Sequence, residues 1–150
     1  MTALLTLGGG FLLAVVWMDL MFDVQALRGS RNRPLPEPAL ASIANYYLRV
    51  TTDARPMNLL IGLVMVATVL GTVAALFRGA APLGWRVTAV LLGSLPIALA
   101  QRRVFPNAVR LGARSDSPEQ QSALARTIAR DHVACFAAML GFVAIQLFAG

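Results

Sequence analysis

The sequence predicts an all-α integral membrane protein: a four-helix bundle with an interfacial amphipathic helix in its first loop. Of the 150 residues, 57% are hydrophobic and only 13% charged, and the mean hydropathy is +0.67. An ordinary soluble domain carries about a quarter charged residues. Four apolar stretches are each long enough to cross a hydrocarbon core of about 30 Å, and one domain over residues 1–150 accommodates them. The charges collect in the connections between these stretches. A disordered chain is excluded, and a water-soluble globule is disfavoured.

The first span covers Ala3 to Phe22, broken only by Asp19. It begins directly after Met1-Thr2 with no basic segment, and it exceeds the roughly 7–15 apolar residues of a secretion signal, so it is expected to be retained. The second span, Met57 to Phe77, is uncharged and introduced by Arg55-Pro56, with proline at or before the first helical turn. The third lies between Trp85 and Gln101 and contains Pro96. That proline frees the carbonyl of Leu92, and a kink there would widen the end of the bundle. The fourth runs from Val133 to Ala149 without charge.

Two of the connections are long. Residues 24–56 open with a turn-rich patch, Arg28 to Pro36, followed by Leu40, Ile43, Tyr47 and Val50 at helical spacing. This is the amphipathic helix, expected on the membrane surface or across the bundle end. Residues 102–131 contain Ser117-Pro118-Glu119-Gln120, a capping box with Ser117 as N-cap, Pro118 at N1 and Gln120 at N3. The helix started there is expected to run unbroken into the fourth span. The third connection, Arg78 to Gly84, is a tight turn.

All 13 basic residues are arginine, and the net charge is +6. The lysine-free, Ala/Gly/Val/Leu-rich composition suggests a GC-rich bacterial genome. Both long loops are basic and share one side, so the positive-inside rule makes that side cytoplasmic and places both termini outside, in the inner membrane. The arginines sit between apolar runs rather than in one tract, so no nucleic-acid partner is expected and membrane lipids are. The single cysteine, Cys135, excludes an internal disulfide. Small residues (Gly8 to Gly10, the Ala67-Gly71-Ala75 series, Ala137 and Gly141) allow close helix packing within one bundle, or a homo-oligomer seam.

With this topology the polar residues fall at one level. Asp19 and Asp23 are four apart on one helix face, Asp19 roughly 6 Å deeper. Arg55 and Asn58 open the second span, and Gln101, Arg102, Arg103 and Asn107 close the third. Arg130, Asp131 and His132, the only histidine, open the fourth. An acid sunk in hydrocarbon marks a functional site by default, and its alternative is a structural ion pair of Asp19 with Arg102 or Arg103. Asp19 and His132 are therefore candidate proton carriers and Asn107 a candidate orienting group. Arg102 or Arg103 could clamp an anionic group, with Asp23, Asn58 and Asp131 around it. A metal set of Asp19, Asp23 and His132 has no spacing signature behind it, and no cofactor is named. Trp17, Trp85, Tyr46 and Tyr47 are expected as interfacial belt residues.

The succession of short spans, Arg103-Val104-Phe105-Pro106-Asn107 after the third, and Arg126…Arg130-Asp131-His132 entering the fourth resemble the small four-helix membrane family related to anthrone oxygenases. The likeness covers roughly residues 56–148. It implies oxidation of a lipophilic aromatic substrate, with Asn107 and His132 as the positions carried over. The Trp17 to Asp23 stretch and the long basic first loop depart from that pattern.

Three functional classes follow. The first is a polar pocket at the cytoplasmic face that binds a lipophilic or amphipathic small molecule, with catalysis left open. The second is a small proton-coupled transporter or channel using Asp19, for which Gln146, Thr68 and Thr72 are the available lining groups. The third is an accessory subunit whose basic loops dock a partner or anionic lipid.

Overall fold

The computed structural model describes residues 2–28, 33–78 and 80–149, all helical or connecting. Residues 29–32 of the turn-rich patch, and Gly79 in the tight turn, lie outside the described residues. The elements are α1 (Thr2–Arg28), α2 (Glu37–Thr52), α3 (Met57–Arg78), α4 (Leu83–Leu99), a π-helical segment (Ala100–Val104), α5 (Phe105–Ala113) and α6 (Pro118–Ala149). Four helices are long and apolar enough to cross a membrane: Thr2–Arg28, Met57–Arg78, Leu83–Ala113 and Pro118–Phe148.

All four reach the length of a hydrocarbon core, and two run far past it. At about 1.5 Å per residue, the 31-residue helices Leu83–Ala113 and Pro118–Phe148 exceed the roughly 30 Å hydrocarbon core. Their extra turns project at the arginine-rich end. Residues 102–131, read from sequence as a long loop, are therefore mostly helix, because apolar spacing persists past the charges through Val104, Ala108 and Leu111, all buried. The departure from α geometry comes at Ala100–Val104, where the Phe105 amide reaches back to the Ala100 carbonyl. Pro106 has no N–H to offer Arg102 and Pro96 none to offer Leu92, but the helix keeps α geometry through Pro96 and turns to π geometry only ahead of Pro106.

The start of α6 follows its capping box. The Gln120 amide donates to Ser117 Oγ and the Ser117 amide to Gln120 Oε1, each at 3.4 Å. One turn on, Ser122 Oγ accepts the Leu35 amide at 2.8 Å and ties the first loop to α6.

Two apolar clusters build the interior. One fills the bundle with Leu5, Leu12, Ala89, Met139 and Phe142. The other lies at the arginine-rich end, where Leu40, Ile43, Ala44 and Tyr47 of α2 meet Val104, Ala108 and Leu111, and Ala125, Ile128 and Ala129 of α6. So α2 closes the bundle end with the stripe the sequence marked out. Gly112 lets it in, since a Cβ there would lie 3.0 Å from the Leu48 backbone nitrogen.

Helices α1 and α6 run antiparallel along one seam. On α1 the buried positions are Leu5, Gly9, Leu12, Asp23 and Ala26, and Asp19 falls in the same three-and-four spacing. On α6 they include Ala125, Ile128, His132, Cys135, Met139 and Phe142. Gly9 faces Phe142 at one end and Ala26 joins the Ala125 cluster at the other. Between the two apolar clusters the seam turns polar, with Asp19 and Asp23 opposite His132.

Candidate functional site

At this polar interval three helices supply the side chains. His132 Nδ1 lies 2.6 Å from Asp23 Oδ2, a length typical of a charge-assisted hydrogen bond. Tyr47, from α2, donates its hydroxyl to the other oxygen, Asp23 Oδ1, at 2.7 Å. The Tyr47 hydroxyl is also 3.4 Å from Nδ1, but the shorter contact takes the single Nδ1 proton. Asp23 is wholly buried and His132 is 5% exposed. A carboxylate on Nδ1 holds the neutral ring in the tautomer whose free lone pair is on Nε2.

That lone pair faces Asp19. His132 Nε2 and Asp19 Oδ2 are 3.7 Å apart, beyond a direct hydrogen bond, and they form an ion pair only when the ring carries a second proton. Tyr46 donates to Asp19 Oδ1 at 2.5 Å, and its ring stacks on Phe22 with centroids 4.0 Å apart. The Asp19 side chain is 15% exposed, whereas that of Asp23 is fully enclosed. The arrangement has the logic of an oriented base: a buried acid fixes the imidazole, and the imidazole presents its basic nitrogen to a second, partly accessible carboxyl.

Both tyrosines were expected at the lipid–water boundary, and the structure corrects this. Tyr47 is 2% exposed and Tyr46 half-buried, each hydrogen-bonded to an aspartate. Tyr47 stands on the stripe of Leu40 and Ile43, and a buried phenol needs a partner for its hydroxyl. That was the available signal. Burial, then the Asp19 carboxylate, raises the Tyr46 phenol well above the ordinary value near 10; for Tyr47 the causes are burial, then Asp23.

These raised values set a sign. The unfolded chain releases its phenolic protons near pH 10 and the folded one does not, so the tyrosines support the fold fully below pH 10. That support falls away as pH climbs above 10. Because the chain has two tyrosines, alkaline titration followed at the tyrosinate band is expected to stay silent until the protein unfolds, and then rise in one step. Smooth ionisation of either ring near pH 10 with the fold intact would contradict their placement.

The other candidates separate from this core. Arg103 pairs with Asp131, Nε to Oδ2 at 3.3 Å, rather than with Asp19; this contact is a charge pairing too far off axis to be a hydrogen bond. Among the described residues the ion-pair contact of Asp19 is with His132, and none joins it to Arg102 or Arg103, the structural alternative raised from the sequence. Arg102 is exposed. Asn107, on α5, is half-buried and hydrogen-bonds none of the cluster. Asn58, at the start of α3, has a buried Oδ1 without a partner and is likewise outside it. Hydropathy sets a residue's depth but not its angle around the helix, and these four point elsewhere.

Among the described residues no group of three or more His, Cys, Asp or Glu side chains is placed to hold a metal ion. A cleft of about 300 Å³ lies near Gly84, Trp85, Thr88 and Ile145, at the opposite end of the bundle from the cluster. No family model, curated protein or solved structure matches the chain.

Proposed function

We propose that this is a bacterial inner-membrane protein that binds a lipophilic or amphipathic small molecule at a polar site near the cytoplasmic face and moves a proton to or from it. The observation that carries this reading is the Asp23–His132–Asp19 line: an imidazole fixed through Nδ1 and aimed by Nε2 at a carboxyl that reaches the surface. A buried structural pair has no need of the second carboxyl. The basic end is cytoplasmic by the positive-inside rule, which puts both termini outside.

In this reading Asp19 and His132 exchange the proton, Asp23 and Tyr47 orient the ring, and Tyr46 orients Asp19. Neither Arg103, engaged by Asp131, nor Asn107 takes part in the proton step. The resemblance to the family related to anthrone oxygenases gives a narrower version, in which the molecule is a lipophilic aromatic substrate that is oxidised and His132 is the acid–base group. A transport role has less support. Thr68 and Thr72 are buried, but the Thr72 hydroxyl donates to its own helix at the Thr68 carbonyl, and Thr68 Oγ1 packs where a Cβ on Gly8 would stand. They serve the α1–α3 contact.

The test is native mass spectrometry of the protein purified in mild detergent. The wild type is expected to retain a small molecule that Asp19→Asn and His132→Gln both lose, while exposed Arg78→Gln keeps it. Equal retention in all four proteins would place binding elsewhere.

A further inference from the structure

The acids at the arginine-rich end are largely engaged: Glu37 by Arg114, Asp116 by Arg110, Asp131 by Arg103, and Asp23 by His132 and Tyr47. Arg28, Arg49, Arg55, Arg102 and Arg130 are exposed with no carboxylate at ion-pair distance among the described residues. Of the acids there, Asp53 and Glu119 are also exposed and unpaired, so the surplus is positive.

Each of these five guanidiniums has an exposed large apolar residue within three positions: Leu27 beside Arg28, Leu48 beside Arg49, Met57 after Arg55, Phe105 after Arg102, and Val133 after Arg130. Singly, such apolar groups are ordinary on a water-exposed surface. Here each lies at the basic end of a bundle whose helices are apolar enough to cross a membrane. At the edge of a bilayer they enter the acyl boundary while the guanidinium reaches the phosphate layer. The five positions come from five separate segments of the bundle end: α1, α2, the turn before α3, the π-helical segment and α6.

We infer that these five arginines form a collar that binds the headgroups of anionic phospholipid, with Leu27, Leu48, Met57, Phe105 and Val133 seated in the adjoining acyl layer. A guanidinium matches a phosphodiester by paired N–H donors, and juxtamembrane basic residues are drawn to anionic leaflets. The collar is separate from the Asp19–His132 site and stands whether or not that site binds a ligand.

The test uses the whole protein in nanodiscs of phosphatidylcholine with and without phosphatidylglycerol, and reads the lipid retained after transfer to detergent. Phosphatidylglycerol is expected to be retained in preference to phosphatidylcholine. The double variant R49Q/R102Q is expected to weaken that retention about 25-fold, about fivefold per arginine. The variant R110Q/R114Q removes the same charge from acid-paired arginines and is expected to leave retention nearly unchanged. Equal retention of the two lipids, or an equal loss in both double variants, would overturn the collar. So would displacement of the lipid by millimolar inorganic phosphate, which would identify a site for a free anion instead.

Discussion

Replacing Asp23 with alanine is expected to cost about 3–5 kcal/mol of stability, because it strands two partners in a dry interior. His132 would keep a buried Nδ1–H with no carboxylate at 2.6 Å, and Tyr47 would lose the acceptor of its hydroxyl. Asp23→Asn is expected to be milder in stability and as damaging to function. Nδ1 and the Tyr47 hydroxyl bond different carboxylate oxygens, and in asparagine one of those positions becomes an NH2 donor, so one partner is left facing a donor. The imidazole is then released from its fixed tautomer. Since the chain has one histidine, ¹⁵N-histidine labelling reads this from a single ring. The neutral wild-type ring is expected to carry its proton on Nδ1, and Asp23→Asn to shift it toward Nε2. An unchanged ring spectrum in Asp23→Asn, or a wild-type unfolding midpoint in Asp23→Ala, would remove Asp23 from the role given to it.

Gly9→Ala and Gly93→Ala are each expected to destabilise the bundle by about 1–3 kcal/mol, the range of overpacking in a close-fitted core. A Cβ on Gly9 would stand 2.8 Å from the Phe142 ring on one side, and one on Gly93 would stand 3.1 Å from it on the other. Phe142 is wholly buried, so a ring pushed from either glycine is driven toward the helix that carries the other. Gly10 is the internal control: a Cβ there meets nothing within 4 Å, and alanine should gain helix propensity of about 0.5–1 kcal/mol. Phe142→Leu in the Gly9→Ala background should recover part of the loss by returning volume. Denaturation of the four variants in mixed micelles checks the ranking, and a Gly10→Ala loss as large as that of Gly9→Ala would refute it.

This ring between glycines also explains how the small residues of the sequence are used. Gly9 takes Phe142, Gly8 takes Thr68, Gly71 takes Leu5 and Gly141 takes Leu92, all within one chain. In lipid there is no hydrophobic drive between helices, so shape fit of this kind holds them together.

Depth was legible before any coordinates. Residue counts and apolar run lengths bring Asp19, Asp23 and His132 to one level, and the three-and-four spacing from Leu5 through Asp23 to Ala26 would have shown that both acids lie on a packed face. The capping box at Ser117 could be read outright, because N-cap chemistry is local. Tyr46 and Tyr47 were misjudged, since aromatic residues between spans usually belong to the interface and only their placement on the apolar stripe of α2 argued otherwise.

The sequence by itself determined the four spans, the closing helix α2 and the level of the polar groups, since hydropathy, periodicity and capping act over a few turns of chain. Tertiary structure alone decided the partners: Tyr46 for Asp19, Tyr47 and His132 for Asp23, and Arg103 for Asp131. Which side chains meet depends on how each helix is rotated about its axis and on where the first loop folds back. Those angles are fixed by packing between segments more than 80 residues apart, such as Tyr47 and His132.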